Sequence, residues 1–412
     1  MKKGFKVTLA ILALVLIPML FLPAAGIGAQ NELSAISTTI KHQGADWVAG
    51  ETPISKLSPA ARKKRLGALK PLLATEEHKA AIEEHAFLSA VSVPASFDWR
   101  AATGTYVGNY VTHVRDQGDC GSCWAFAVAA AAESQVLIGS QSPGTDVNLS
   151  EQTLVACGNS GDCGGGYINV AADFVRDMGL PLESCFPYTA TNSSCTRACA
   201  GWTNGDYHII GWHWVATASP TVDGLKAALY TYGPLVTTLD VYDDFFYYTG
   251  GVYKYTSGGY AGGHAVVIVG YNDSGQYFIV KNSWGPSWGE AGYFRIAYSQ
   301  LTSRVYFGQY TIADEGYNPT NPPPPACTYA LSPTSKIVHS TASSGTVTVS
   351  SQNSCSWTAV SNASWITISS GSTGTGNGRV GYKVAVNRGA YRTGTLTIAG
   401  QTFTVKQYRR GK

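Results

Sequence analysis

Charge is scarce in this 412-residue chain. Asp, Glu, Lys and Arg together make up 13%, and 29 basic residues against 26 acidic leave a net charge of +3. No basic stripe runs through it, which argues against a nucleic-acid partner. The one basic cluster, Arg62-Lys63-Lys64-Arg65, reads as the solvated face of a helix. Long apolar runs are missing beyond the first, so no later segment is expected to cross a membrane. That first run, Val7 to Leu22, follows Lys2 and Lys3 and gives way to Gly26-Ile27-Gly28-Ala29. The pattern is that of a secretory signal peptide with cleavage expected after Ala29, while Pro18 and Pro23 argue against an anchor helix. A second C-x-x-C, which would complete a zinc site around Cys120 and Cys123, is also absent. No metal or organic cofactor is expected.

What the chain has is length for two or three folded units and an apolar content, 44%, that affords a sizeable core. It also has nine cysteines, at 120, 123, 157, 163, 185, 195, 199, 327 and 355. An oxidising compartment would let most of them pair. Nine is odd, so one thiol is left over and is a candidate for reactivity.

Composition divides the chain into a signal segment (1–29), a polar, cysteine-free segment (30–92), a domain rich in Trp, Tyr, Gly and Cys (93–316), a Pro-rich linker (317–326) and a Thr/Ser/Gly/Val-rich remainder (327–412). In the second segment Leu57 to Leu69 reads as a helix entered at Ser58-Pro59, and Thr75 to Ala90 as another. The segment is too small and polar to build a core alone. In the third, helices are expected over Cys123–Ile138, from Ser150 as N-cap to about Ala156, and over Ile168–Met178 up to Gly179. Strands follow at Leu235–Leu239, His264–Tyr271, Tyr277–Lys281 and Gly292–Tyr298. Helices first and strands later predict an α+β fold with two facing lobes. The last segment alternates with period two at Val347-Thr348-Val349, Val384-Ala385-Val386 and Thr402-Phe403-Thr404-Val405, which predicts a small all-β sandwich.

Chemistry concentrates in Gln117-Gly118-Asp119-Cys120-Gly121-Ser122-Cys123-Trp124-Ala125-Phe126. Cys123 falls at the start of an apolar helix, where backbone amides favour a thiolate. Taken alone, the segment leaves two readings close: a redox pair, Cys120 with Cys123, or one structural cysteine beside one catalytic cysteine. Two distant segments favour the second. His264 heads an apolar strand in Gly262-Gly263-His264-Ala265, a setting none of the seven other histidines has. Asn282 in Lys281-Asn282-Ser283-Trp284-Gly285 could hold the imidazole's other nitrogen, with Trp284 shielding that bond.

With these in place the resemblance is to the papain family. It covers roughly Val93 to Gly316. Its pieces come in order: Phe97-Asp98-Trp99-Arg100, Gln117 to Phe126, Leu149-Ser150-Glu151-Gln152, Cys163-Gly164-Gly165-Gly166-Tyr167, Phe186-Pro187-Tyr188, His264 with its strand, and Asn282 to Gly285. The resemblance implies a papain-like two-lobed fold and a cysteine endopeptidase made as a zymogen. It makes Cys123 the nucleophile, His264 the base and later acid, Asn282 its orienter and Gln117 an oxyanion donor. It places a substrate ledge at Gly165 and Gly166, with Ala265 and Trp284 beside it. It pairs Cys120 with Cys163, Cys157 with Cys199 and Cys185 with Cys195, the swap of Cys195 and Cys199 staying open; Cys327 would pair with Cys355 and Cys123 would stay free. Trp47 to Gly50 and Leu57 to Gly67 resemble the shorter pro-segments of cathepsin B-like enzymes, but no occluding-loop insertion is seen. Gly164 stands where the family often has Asn, which bears on subsite detail.

The last segment resembles the BACON type through Cys355-Ser356-Trp357-Thr358-Ala359, Ser364-Trp365-Ile366, Gly394 to Ile398 and Gln407. That resemblance brings a glycan ligand into consideration, although Trp357 and Trp365 are expected in the core. The partners expected are protein or peptide substrates, for a secreted monomer without nucleic acid or stable membrane attachment. The rival functions are a non-catalytic binding protein on the same fold and a disulfide oxidoreductase using Cys120 and Cys123.

Overall fold

The computed structural model describes residues 25–73, 75–88, 91–203, 207–318, 328–351 and 355–409. The expected signal segment up to residue 24, most of the expected linker, and Cys327 with its expected bond to Cys355 lie outside these residues. The segment ahead of residue 93 opens with helix α1 (Ala25–Gln43) and strand β1 (Trp47–Ala49). Helix α2 follows (Pro59–Lys63), entered where Ser58 Oγ accepts the Ala61 N–H, with Pro59 at the first helical turn. Helix α3 (Thr75–Leu88) ends the segment.

The helix expected to reach Leu69 therefore stops at Lys63, and after a turn at Lys64-Arg65 the chain leaves helical structure. Tertiary pairing overrides local propensity here, because Ala68 bridges to Gly166 in parallel. The basic cluster is also corrected. Lys63 and Lys64 are exposed, but Arg62 (4% exposed) and Arg65 are buried. Arg62 donates to both Glu32 carboxylate oxygens, at 3.2 and 3.1 Å, and to the Tyr247 hydroxyl at 2.9 Å. Arg65 is held by Asp116 at 2.8 Å and Asp119 at 3.3 Å.

The next region has an helical half and a sheet half. Strand β2 (Ser96–Asp98) leads into helix α4 (Cys123–Gly139), whose side chains are almost all buried, then α5 (Glu151–Cys157), the short strands β3 (Gly161–Asp162) and β4 (Gly165–Gly166), and α6 (Ile168–Asp177). Ser150 caps α5 by accepting the Thr153 N–H at 3.1 Å. The sheet half holds β5 (His208–Ala216), helix α7 (Val222–Tyr232), β6 (Leu235–Tyr242), β7 (Tyr248–Tyr253), β8 (Tyr260–Asn272), β9 (Tyr277–Lys281), β10 (Tyr293–Ala297) and β11 (Thr311–Asn318). The strand order is β1-β7-β10-β9-β8-β6-β11-β5, with β2 also on β8, so the leading segment adds an edge strand. β11 carries Tyr317 and Asn318, residues expected in the linker: Tyr317 pairs with Ile209 and is buried.

One apolar core joins both halves and the leading segment, including Ile36, Trp47, Ile54, Leu66, Trp124 and Phe246. Each such side chain that leaves water contributes about 1.5–3 kcal/mol, which is how a polar segment without its own core stays ordered.

The C-terminal region is a separate all-β unit. Its strands are β12 (Tyr329–Ser332), β13 (Ser335–Val338), β14 (Ser343–Ser351), β15 (Ser356–Ser361), β16 (Ile366–Ser370), β17 (Thr373–Thr375), β18 (Gly378–Val384), β19 (Arg392–Ile398) and β20 (Gln401–Gln407). They form sheets β12-β14-β18-β16 and β13-β20-β19-β15-β17 around a core of Val347, Trp357, Leu396 and Phe403. Trp357 is in that core and donates to the Gly376 carbonyl at 2.8 Å. Trp365 is half-buried, with the Arg392 guanidinium 4.1 Å from its ring centre.

Candidate active site

Cys123 is the first residue of α4. Its N-cap, Ser122, makes no side-chain cap, because its Oγ is engaged by the Tyr188 hydroxyl at 2.6 Å. Tyr188 also donates to the Gln117 carbonyl at 2.8 Å, so the Phe186-Pro187-Tyr188 segment fixes the loop ahead of the helix. Cys120 is disulfide-bonded to Cys163, which ties that loop to the glycine ledge, and Gly121 N–H donates to the Cys163 carbonyl at 2.9 Å. Cys123 is free and buried. A Cys120–Cys123 redox pair is therefore not the bond the structure makes.

From the other half, β6 and β8 pair so that Leu239 faces His264 and Asp240 faces Gly263. The Ala265 N–H donates to Cys123 Sγ at 3.4 Å, which sets the thiol against the strand of His264. His264 Nε2 bonds Asn282 Oδ1 at 2.7 Å, and its Nδ1 has no hydrogen-bond partner among the described residues. That Nδ1 is the nitrogen left for the thiol. Trp284 stacks on the imidazole at 4.7 Å and is itself buried, so it walls the His264–Asn282 bond from water. Asn282 follows Lys281, whose buried ammonium donates to Thr112 Oγ1 at 2.9 Å, and Thr112 in turn donates to the Glu133 carboxylate on α4. This charged link pins the strand that carries Asn282 to the helix that carries Cys123.

Gln117 is fully buried. Its Oε1 accepts from Ser283 Oγ at 2.7 Å, which turns the amide nitrogen toward the cleft. That nitrogen donates to the Arg65 carbonyl at 3.1 Å and the Cys120 carbonyl at 2.8 Å. The sequence reading did not foresee Ser283 in this role, nor the stretch Arg65 to Leu69 across the cleft. Ala68 N–H donates to the Gly263 carbonyl at 3.1 Å, Leu69 N–H to the Gly166 carbonyl at 3.0 Å, and Gly166 N–H to the Gly67 carbonyl at 2.8 Å. Gly67 is the one signal that could have shown this approach: a Cβ there would lie 1.8 Å from the Gly121 carbonyl oxygen. Gly166 is tight for a second reason, since a Cβ there would meet the Trp124 ring at 2.4 Å.

Covered in this way, both groups are pushed toward their neutral forms. Burial pushes the Cys123 thiol up to about 11, although the amides of Ala265, Gly67, Trp124 and Ala68 pull it back. Burial brings His264 down to about 4, against the raising effect of Asn282. Two of the covering amides, Gly67 and Ala68, belong to the leading segment itself.

The remaining disulfides differ from expectation. Cys157 bonds Cys195 and Cys185 bonds Cys199, the swap of the pairs first expected. Cys195 opens a 3₁₀ turn whose Cα lies 4.8 Å from that of Cys157, and Cys199 N–H donates to the Cys185 carbonyl at 3.2 Å, holding those Cα atoms 5.1 Å apart. Both separations suit a disulfide.

A model described as papain family cysteine protease matches residues 93–319. The chain belongs to the papain family of cysteine proteases. A second model, described as viral BACON domain, matches residues 329–407. Cathepsin B-like CP3 of Giardia intestinalis is 40% identical over 225 residues, covering 51% of this chain and 71% of its own. Cathepsin B-like CP2 of the same organism is 35% identical over 274 residues, covering 62% and 86%. Among solved structures, digestive procathepsin L2 from Tenebrio molitor larval midgut superposes with a TM-score of 0.56 at 29% identity, covering 72% of this chain and 95% of that one. That coverage exceeds the family match, so the likeness to a zymogen reaches into the leading segment. The chain is a papain-like cysteine-type endopeptidase with a procathepsin-like fold. Among the described residues no helix is long and apolar enough to cross a membrane, and no cluster of His, Cys, Asp and Glu could hold a metal.

Proposed function

We propose that this protein is a secreted zymogen whose processed form hydrolyses peptide bonds through Cys123 and His264. The observation that carries the reading is the occupied cleft: the Gln117 amide nitrogen is held by the Arg65 carbonyl, and the Gly166 ledge by Gly67 and Leu69. A backbone of the chain itself thus fills donors that a substrate backbone would need. Residues 30–92 act as the inhibitory pro-segment and are removed near Val93. Their loss readmits water, and the helix amides and His264 then favour a thiolate–imidazolium pair. The Cys123 thiolate attacks the substrate carbonyl carbon, and the Gln117 amide with the Cys123 N–H receives the oxyanion. His264 passes its proton to the leaving amine. Water, activated by the same imidazole, hydrolyses the thioester and regenerates the thiol. Losing one oxyanion donor costs about 2.7–4 kcal/mol of barrier in comparable sites.

Secretion is supported by the disulfides, which an oxidising compartment maintains. In the C-terminal sandwich, Trp365 lines an open groove with Ser343, Ser364, Thr367 and Lys383, chemistry that suits a glycan. The test of the proteolytic reading is product analysis on the processed protein. Cleavage of unmodified peptides that is lost in Cys123→Ala supports it. Cleavage that persists in Cys123→Ala, in a folded and processed sample, removes it.

A further inference from the structure

Beside the catalytic pair, the pro-segment leaves an imprint of side-chain chemistry as well as of backbone. Its chain is anchored by Ala68 on Gly263 and by Leu69 on Gly166, and the next residue is Lys70. The Lys70 ammonium lies 3.7 Å from Asp240 Oδ2 and 5.8 Å from the centre of the Tyr306 ring. The recess around this contact is closed on one side by Ala68 to Lys70 and lined on the other by Thr238, Asp240, Gly263, Tyr306, Gln309 and Tyr310. Asp240 stands in register with Gly263, one residue from His264, so the recess belongs to the cleft.

The protein side of this contact is built and the guest is loose. The Asp240 side chain is 13% exposed and that of Lys70 57%. Burial raises the Asp240 carboxyl, and Lys70 is the one cation among the described residues that acts against that rise. Tyr306 is held at φ 45°, a conformation rarely taken by a bulky residue and tolerated where surroundings enforce it. Its N–H donates to the Ser303 carbonyl at 3.1 Å, and its ring, 48% exposed, remains open to a cation. When the pro-segment leaves, Asp240 loses its counter-charge and opens to the cleft.

We infer that Asp240, with Tyr306, forms a subsite that selects a lysine or arginine side chain on the acyl side of the scissile bond. The inference rests on the proteolytic reading above and adds its substrate class. In the precursor Lys70 fills the subsite as a surrogate. In the processed enzyme a basic substrate side chain replaces it, and an acidic one is repelled by the same carboxylate.

The test is kcat/KM for fluorogenic peptides in which each acyl-side position is occupied in turn by Lys, Arg, norleucine or Glu. The processed full-length enzyme is expected to prefer Lys or Arg over norleucine about tenfold or more at one position, with Glu the poorest there. Asp240→Asn should collapse that ratio toward one, and Asp240→Glu should retain part of it. A second measurement does not depend on a variant folding: a synthetic peptide of residues 62–73 should inhibit the processed enzyme, and Lys70→Glu in the peptide should weaken inhibition about tenfold or more. An enzyme that cleaves peptides without basic preference at any acyl-side position overturns the inference, as does a preference that survives Asp240→Asn. An enzyme that cleaves none of the peptides, although folded and processed, refutes the proteolytic reading instead.

Discussion

The two ends of the pro-segment are attached to the protease in different ways. The stretch up to Leu69 is interlocked: Trp47 and Ile54 are buried in the shared core, Arg62 is buried among Glu32, Tyr247 and backbone carbonyls, and Gly67 lies against Gly121 with no room for a Cβ. Helix α3 is laid on the surface. Ala81 and Leu88 are buried, but Ile82 is 55% and Phe87 66% exposed, and its polar ties include the Tyr232 hydroxyl donating to Glu84 at 3.0 Å and His78 with Thr217 Oγ1 at 2.7 Å. On the proposed reading, inhibition would reside in the first stretch, with α3 as a tether toward the expected processing point. Close packing that tolerates no extra atom carries more free energy than single part-buried hydrogen bonds.

The largest effect that can break this comparison is at Gly67. In a peptide of residues 30–73 tested against the processed enzyme, Gly67→Ala should weaken inhibition about 100-fold or more, because the backbone must withdraw from Gly121. An unchanged inhibition constant would remove the interlock. Next comes Arg62→Met, which leaves Glu32, Tyr247 and the Ser55 carbonyl without their shared donor. The precursor should lose about 2–4 kcal/mol of stability in denaturant melts, while the processed enzyme, lacking both Arg62 and Glu32, is the control that should not depend on them. The smallest is Tyr232→Phe, which removes the tie to Glu84. It should cost the precursor about 0.5–1.5 kcal/mol and barely change the inhibition constant of the 30–73 peptide. A loss equal to that at Arg62 would mean the two ends are held alike.

The same contrast explains what could be read from the residues. Helix α4 and strands β6, β8, β9 and β10 were legible because their signals are local, an Ala-rich apolar run behind Cys123 and alternation closed by turns, and motifs in a fixed order marked the candidate site. The path of Arg65 to Leu69 was not, because its hydrogen bonds go to Gly166 and Gly263, about a hundred and two hundred residues away, while Ser58-Pro59 correctly announced a helix start nearby. Arg62 and Arg65 look solvated in sequence, and Glu32, Tyr247, Asp116, Asp119 and the Ser55 and Leu57 carbonyls brought alongside allow their burial. Cys195 and Cys199 are four residues apart, so spacing alone could not choose between them; the backbone bond from Cys199 to Cys185 did. Asp240 carries no motif, and its place beside the cleft follows from its register with Gly263.

Cys123 is proposed as the nucleophile, kept by the pro-segment as a neutral, buried thiol. The direct measurement is the rate at which an epoxide or haloacetamide labels Cys123, followed against pH in the precursor and in the processed enzyme. With its thiol pushed up to about 11, the precursor has a thiolate fraction of roughly 10⁻³ at pH 8, so its labelling should be slow and climb tenfold per pH unit with no plateau below about pH 10. The processed enzyme should label fast, on Cys123 alone, with a plateau already reached near neutral pH. Identical rates and pH profiles in the two forms, or label on a cysteine other than Cys123, would contradict the account.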